Sequence, residues 1–137
     1  MKELTRTECA DWLLDRDHFV ILTHRKPDGD TIGSAVGLCL GLRQLGKTAH
    51  VLENPEITPL YAPLLTKLTK STPQEGDLLI AVDVAADTML PRNYEDLKYS
   101  VIPNRSHICF SVSAVCITIS RLSMAQGPAM RNIVVRV

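Results

Sequence analysis

The chain has 137 residues, enough for one domain, and it is 45% hydrophobic but only 4% aromatic. Fifteen basic and fifteen acidic residues cancel, which argues against a large non-specific nucleic-acid surface, because such a surface needs a basic patch. The four cysteines show no C-x-x-C spacing and indicate reduced thiols. No signal peptide and no run of about 18 apolar residues is found, so we expect a cytoplasmic protein with no membrane partner.

The order of residues predicts alternating helices and strands. Thr5 and Glu8 fit a capping box that begins the first helix. In chain order we predict a helix over 5–17, a strand over 19–23, a helix over 31–45, a strand over 48–52, a short helix over 60–68 and a buried strand over 78–83. This alternation predicts an α/β fold, with a doubly wound parallel sheet, flanking helices and right-handed crossovers.

The second predicted helix carries a glycine every fourth residue, at Gly33, Gly37 and Gly41. Each glycine in a helix interior costs about 0.5–1 kcal/mol, so a packing gain has to offset it. We therefore expect this stripe to pack closely against the sheet. Gly46 is a suitable residue to end the helix.

Residues 19–34 contain the densest chemistry of the chain. An apolar, β-branched run is followed by a polar loop that holds His24, Asp28 and Asp30. The two aspartates are two residues apart, so in an extended segment both carboxylates point to the same side. Because like charges repel at this distance, the pair favours a cation between them. A site that combines these carboxylates with the imidazole of His24 suits manganese, iron or zinc.

Two interpretations of this loop stay open from the residues alone. In the first, the loop holds a metal, and the helix that starts near Thr31 presents free N–H groups to a phosphate. In the second, Pro27 to Asp30 is a solvated turn in which an aspartate only caps the helix.

Two further side chains have the chemistry of metal ligands. Asp83 ends the apolar run 78–82, and from the residues alone it is interpreted as the N-cap of the next turn. His50 lies inside a predicted strand without other metal-binding residues near it in sequence, so we interpret it as a packed histidine.

The loop residues carry a family resemblance. The motif follows directly after a hydrophobic strand and reads His24-x-x-Pro27-Asp28-Gly29-Asp30-x-Ile32-Gly33-Ser34. It resembles the first motif of the DHH phosphoesterases, and within them it is most similar to the branch of bifunctional oligoribonucleases and phosphoadenosine-phosphate phosphatases (nanoRNases). The resemblance covers residues 5–100, and Asp83 is similar to the second motif of the family.

The resemblance implies a Mn²⁺-dependent phosphoesterase that hydrolyses short oligoribonucleotides, or nucleotides such as phosphoadenosine phosphate, by a two-metal mechanism. It implies that His24 and Asp28 hold one metal, that Asp30 holds the second and that Asp83 bridges them. Asp30 and Asp83 are then also the expected catalytic residues. Gly33 and Ser34 are expected to bind the substrate phosphate. A homodimer is the assembly expected of a full-length protein.

The segment 101–137 departs from the family pattern. The third motif of the family, Asp-His-His, is absent, and only His107 lies near its expected place. Every aspartate, glutamate and lysine of the chain lies before residue 101, whereas the tail contains four arginines. We hypothesise that residues 1–100 are a partial DHH domain and that residues 101–137 are translated in a shifted reading frame. The alternative is a genuine, diverged tail in which 112–119 and 133–137 form strands.

These departures leave a second functional hypothesis. The chain is then an inactive, truncated fragment that binds at most a metal or a nucleotide, with a single ion in place of the two of an intact family member. A third interpretation is an ordinary nucleotide-binding α/β module without a metal.

Overall fold

The computed structural model of the chain describes residues 6–84, 87–93 and 108–110. Within these ranges, the α-helices α1 and α2 cover Arg6–Leu14 and Gly29–Gln44. The strands β1 to β5 cover Phe19–Leu22, Ala49–Leu52, Thr69–Lys70, Leu78–Val82 and Ile108–Phe110, and short 3-10 helices cover Pro59–Leu65 and Asp87–Met89.

The strands form one parallel sheet in the order β3-β2-β1-β4-β5. β1 lies in the centre, where Phe19 is in register with Ala49 of β2 and with Leu78 of β4. All four β1 side chains are buried, as expected for a strand that is covered on both faces. The α/β prediction with a parallel sheet is therefore confirmed.

The strand order reverses between β1 and β4. From β1 the chain continues outward through β2 to β3, whereas from β4 it continues in the opposite direction to β5. In open α/β sheets, ligands bind at the carboxyl ends of the strands at such a switch point. The topology therefore marks the ends of β1 and β4, at Leu22 and Val82, before any side chain is considered.

Alternate side chains of the sheet build two apolar layers. Phe19, Ile21 and Ile80 pack with α1 and α2 in the larger cluster. Val20 and Leu79 point to the opposite face and pack in a second cluster that includes Val84 and Leu90. The period of two that a strand imposes on its side chains produces this division.

Three elements differ from the sequence-based prediction by more than one residue or in type. α1 ends at Leu14 rather than near residue 17, and α2 begins at Gly29, two residues earlier than predicted. The segment predicted as a short helix over 60–68 is a 3-10 helix with Pro63 inside it. Proline removes a backbone donor and disfavours a regular α-helix.

The glycine stripe of α2 is only partly at the packed face. Gly33 is exposed, and a Cβ atom added there would meet nothing within 4 Å. Gly41, by contrast, is buried. The prediction that the whole stripe packs against the sheet is therefore wrong at Gly33, where the helix faces away from it.

No helix in the described part of the chain is both long enough and apolar enough to cross a membrane. Three residues of the tail, Ile108–Phe110, form β5 in parallel register with β4. The predicted strands at 112–119 and 133–137, the capping residue Thr5 and the candidate His107 lie outside the described residues.

Candidate metal centre

Two loops supply the candidate site, and both follow strands at the switch point. His24 and Asp28 belong to the loop between β1 and α2, and Asp83 is the first residue after β4. β1 and β4 are hydrogen-bonded neighbours with Leu22 in register with Ala81. Residues far apart in sequence are therefore placed together by the pairing of the two strands.

The imidazole and the two carboxylates converge. His24 Nε2 lies 3.9 Å from Asp28 Oδ1 and 3.8 Å from Asp83 Oδ2. One ligand atom from each of the three residues lies within 4.8 Å of the others. The His24 side chain is 16% exposed and the Asp83 side chain 35%, whereas that of Asp28 is 66% exposed. The group is therefore open to solvent on the side of Asp28.

Asp28 caps helix α2. Its backbone is extended, and its Oδ1 atom accepts hydrogen bonds from the backbone N–H and the hydroxyl of Thr31, at 3.0 and 3.1 Å. The Thr31 donors, and then the nearby His24, hold the pKa of Asp28 below its usual range. The Asp28 carboxylate thus caps the helix and also belongs to the three-residue group. The two interpretations of this loop therefore do not exclude each other.

Thr31 connects the two carboxylates. It is fully buried, and its Oγ1 atom lies 3.1 Å from Asp28 Oδ1 and 2.7 Å from Asp83 Oδ2. A hydroxyl has one hydrogen to donate, so it cannot fully satisfy both acceptors at once. The pair therefore keeps unsatisfied negative charge, and a cation is the partner that would neutralise it.

Asp83 has a left-handed backbone conformation with φ of 56°. Few residues other than glycine adopt this region, although aspartate and asparagine do so more readily than most. The turn directs the carboxylate toward Thr31 on α2 rather than along the direction of β4. Strained backbone of this kind is concentrated at functional sites.

Asn54, which the sequence analysis did not single out, anchors the His24 loop. It is buried, and its amide nitrogen donates to His24 O at 2.9 Å and to Thr23 Oγ1 at 3.0 Å. The Asn54 oxygen accepts from Glu56 N at 2.9 Å. A polar residue two positions after a buried strand was the available sequence signal, but its partner could not be identified without the sheet order.

The other predicted site residues, Asp30, Gly33 and Ser34, lie on helix α2. Asp30 is exposed in the first turn of α2 and is not one of the converging residues. Helix α2 begins at Gly29 after its N-cap Asp28, so the four backbone N–H groups that have no acceptor within the helix are those of residues 28–31. Gly33 is exposed, whereas Ser34 is buried with an Oγ atom that has no hydrogen-bond partner in the described part of the chain.

The donor set fits a divalent transition metal. One imidazole nitrogen and two carboxylate oxygens form a mixed set that suits manganese, iron or zinc. The distances of 3.9 and 3.8 Å from His24 Nε2 to the two carboxylate oxygens are compatible with ligands about 2.0–2.2 Å from a common centre. His50 is half-buried on β2 and does not belong to the group.

Comparison with known proteins gives two findings. The family model described as "DHH family, N-terminal domain" matches residues 18–108. A bifunctional oligoribonuclease and PAP phosphatase, NrnA, of Thermus thermophilus is 41% identical over 70 residues, which are 47% of this chain. The aligned part is 21% of that relative, so the chain spans about a fifth of the curated protein that it matches.

Proposed function

Because the chain belongs to the DHH family, of which it contains the N-terminal domain, we propose that it forms the metal-binding half of a phosphoesterase. The substrates we propose are short oligoribonucleotides or nucleotides such as phosphoadenosine phosphate, in line with the name of the Thermus relative. The observation that carries the proposal is the convergence of His24, Asp28 and Asp83 at the carboxyl ends of β1 and β4.

In this proposal His24, Asp28 and Asp83 hold a first divalent ion, with Mn²⁺ as the proposed metal. Asp30, exposed in the first turn of α2, and Asp83 are the proposed ligands of a second ion. Bound divalent ions supply two effects at such sites, a lowered pKa of water and neutralisation of phosphate charge.

The protein groups around the ligands have separate tasks. Thr31 holds the Asp28 and Asp83 carboxylates toward each other through its hydroxyl. Asn54 fixes the backbone carbonyl of His24 and so limits the movement of that loop. The first turn of α2 offers backbone N–H groups and the positive end of the helix dipole to a phosphate oxygen, and exposed Gly33 leaves space beside it.

A second candidate function is metal or nucleotide binding without turnover. The observation that favours it is the absence of an Asp-His-His sequence from the chain, since the family resemblance implies ligands at that motif. On this reading the first ion still binds, because its three proposed ligands are present, but the phosphoester is not cleaved.

Two measurements on the full chain test the proposal. Mn²⁺ binding is followed by electron paramagnetic resonance, and hydrolysis of the diribonucleotide pApA and of phosphoadenosine phosphate is followed by chromatography. Saturable binding with Mn²⁺-dependent release of AMP supports the enzyme. Saturable binding without product supports the binding function.

A matched variant identifies the site. His24→Ala removes the proposed nitrogen ligand, whereas His50→Ala removes a histidine of the same sheet that lies outside the group. We expect the first variant to lose Mn²⁺ affinity and the second to keep it. Equal affinities of both variants and the parent protein would refute the metal centre. Sequencing the coding DNA from codon 90 onward decides separately whether another frame continues with Asp-His-His.

A further inference from the structure

We propose that a cavity beside the His24 loop binds the nucleoside part of the substrate, an inference that rests on the proposed phosphoesterase function. The cavity, here called the β2 cavity, has a volume of about 580 Å³ and is lined by residues between Glu53 and Ser71 and by Asn93. Sites for small molecules commonly have volumes of about 300–1,000 Å³. The β2 cavity is therefore large enough for a base with its ribose.

Its position fits a substrate that reaches the metal centre. Glu53 is the first residue after β2, and Ser71 is the first after β3, so the β2 cavity opens at the carboxyl edge of the sheet. Asn54 lines the cavity and also donates a hydrogen bond to His24 O at 2.9 Å. Asn54 thus joins the cavity lining to the His24 loop, and in the proposal a nucleotide with its phosphate at the metal centre extends its nucleoside toward the cavity.

The lining combines the two kinds of surface that a nucleoside presents. Ile57, Ala62 and Leu65 offer apolar contact, which suits the flat face of a base. Hydroxyl and amide groups of other lining residues, such as Thr69 and Asn93, can bond the edge of a base or the ribose hydroxyls.

The charges of the cavity disfavour a phosphate inside it. Its lining includes one acidic residue, Glu53, and one basic residue, Lys67, so their charges cancel. A neutral base and ribose therefore match the β2 cavity better than a polyanion, while the phosphate would be better placed at the proposed metal centre once its ions are bound.

Paired tryptophan substitutions on one 3-10 helix test the inference. Ala62 lines the β2 cavity, whereas Leu64, two residues later, is 54% exposed and does not line it. Binding of adenosine and of AMP to the full chain is measured by calorimetry or NMR titration, with and without Mn²⁺. We expect Ala62→Trp to weaken the binding of both probes at least tenfold, because the indole fills the cavity. Leu64→Trp should change it less than twofold.

The outcomes separate this inference from the proposed function. If Ala62→Trp and a second filling variant, Thr66→Trp, bind adenosine as the parent protein does, or if the parent binds neither probe, the cavity assignment is overturned, whatever the Mn²⁺ affinity. If the parent fails to bind Mn²⁺ but Ala62→Trp still abolishes adenosine binding, the phosphoesterase proposal fails and the nucleoside site stands. Unchanged urea midpoints of the variants show that the fold is intact.

Discussion

At the amino ends of β1 and β2, Asp17 accepts hydrogen bonds from the backbone N–H groups of Thr48 and His18, at 2.5 and 2.7 Å. At the carboxyl ends of β1 and β4, Asp28 and Asp83 both contact the single hydroxyl of Thr31. An aspartate near a histidine and a residue with positive φ occur at both edges. The difference is that Asp17 has two backbone donors to itself, whereas Asp28 and Asp83 share one hydroxyl, and the backbone N–H of Thr31 serves Asp28 alone.

The supply of donors follows from the direction of the strands. N–H donors meet the Asp17 carboxylate at the amino edge and hold its pKa below the usual range, Thr48 contributing most. At the carboxyl edge, two carboxylates and the carbonyl end of each strand bring acceptors together. The same residue type is therefore structural at one edge and available to a cation at the other.

The largest expected effect is a loss of metal affinity, which we expect at the carboxyl edge of the sheet and not at the amino edge. Asp83→Asn should weaken Mn²⁺ binding about 100-fold or more, since loss of even an outer partner of a metal ligand costs about 10–100-fold. Asparagine tolerates the positive φ of this position, so the backbone is retained. Electron paramagnetic resonance titration of Mn²⁺ measures the change. Asp17→Asn is the matched control, and an equal loss in both variants would contradict the comparison.

The second prediction concerns the anchor of the His24 loop. Asn54→Ala leaves the buried Thr23 hydroxyl and the His24 carbonyl without a donor. We expect the free energy of unfolding to fall by about 1–3 kcal/mol, measured by urea denaturation without metal. Gln44→Ala, at an exposed position on α2, should change it by less than about 0.5 kcal/mol. If Asn54→Ala lowers the free energy of unfolding by only this small amount, the anchor contributes little to stability.

A third prediction concerns the bridge between the carboxylates. Thr31→Val keeps the shape of the side chain but removes the hydroxyl that contacts Asp28 and Asp83. We expect about tenfold weaker Mn²⁺ binding, because the carboxylates lose their common orientation. Thr31→Ser retains the hydroxyl and should restore the affinity. If the serine and valine variants bind Mn²⁺ equally, the hydroxyl does not position the ligands.

The smallest effect is a pH dependence at the amino edge. Because the folded-state pKa of Asp17 is lowered, its contribution to stability is present above the unfolded pKa of about 3.9 and is lost as pH falls through the folded value. Asp17→Asn should therefore lower the urea midpoint at pH 7, and the difference from the parent should shrink near pH 3. A difference that stays constant across this range would mean that the carboxylate charge plays no part.

Much of the site could be predicted from the order of residues. His24 and Asp28 follow one buried apolar run and Asp83 another, and the carboxyl ends of parallel strands share an edge. Asp30 illustrates the limit of that reasoning. The expected pairing with Asp28 assumed an extended loop, but α2 already begins at Gly29, and a helix turns residues two apart to different sides.

The sequence by itself determined the α/β class, the buried strands and the loop motif, because these depend on local periodicity and on the chemistry of neighbouring residues. Only the tertiary structure decided that β1 and β4 are adjacent, that Thr31 touches Asp83, and that Asn54 holds the His24 loop. The contacts of Asn54 with His24 and of Thr31 with Asp83 join residues 30 and 52 positions apart. Strand pairing brings such residues together, and local sequence patterns do not encode which strands become neighbours.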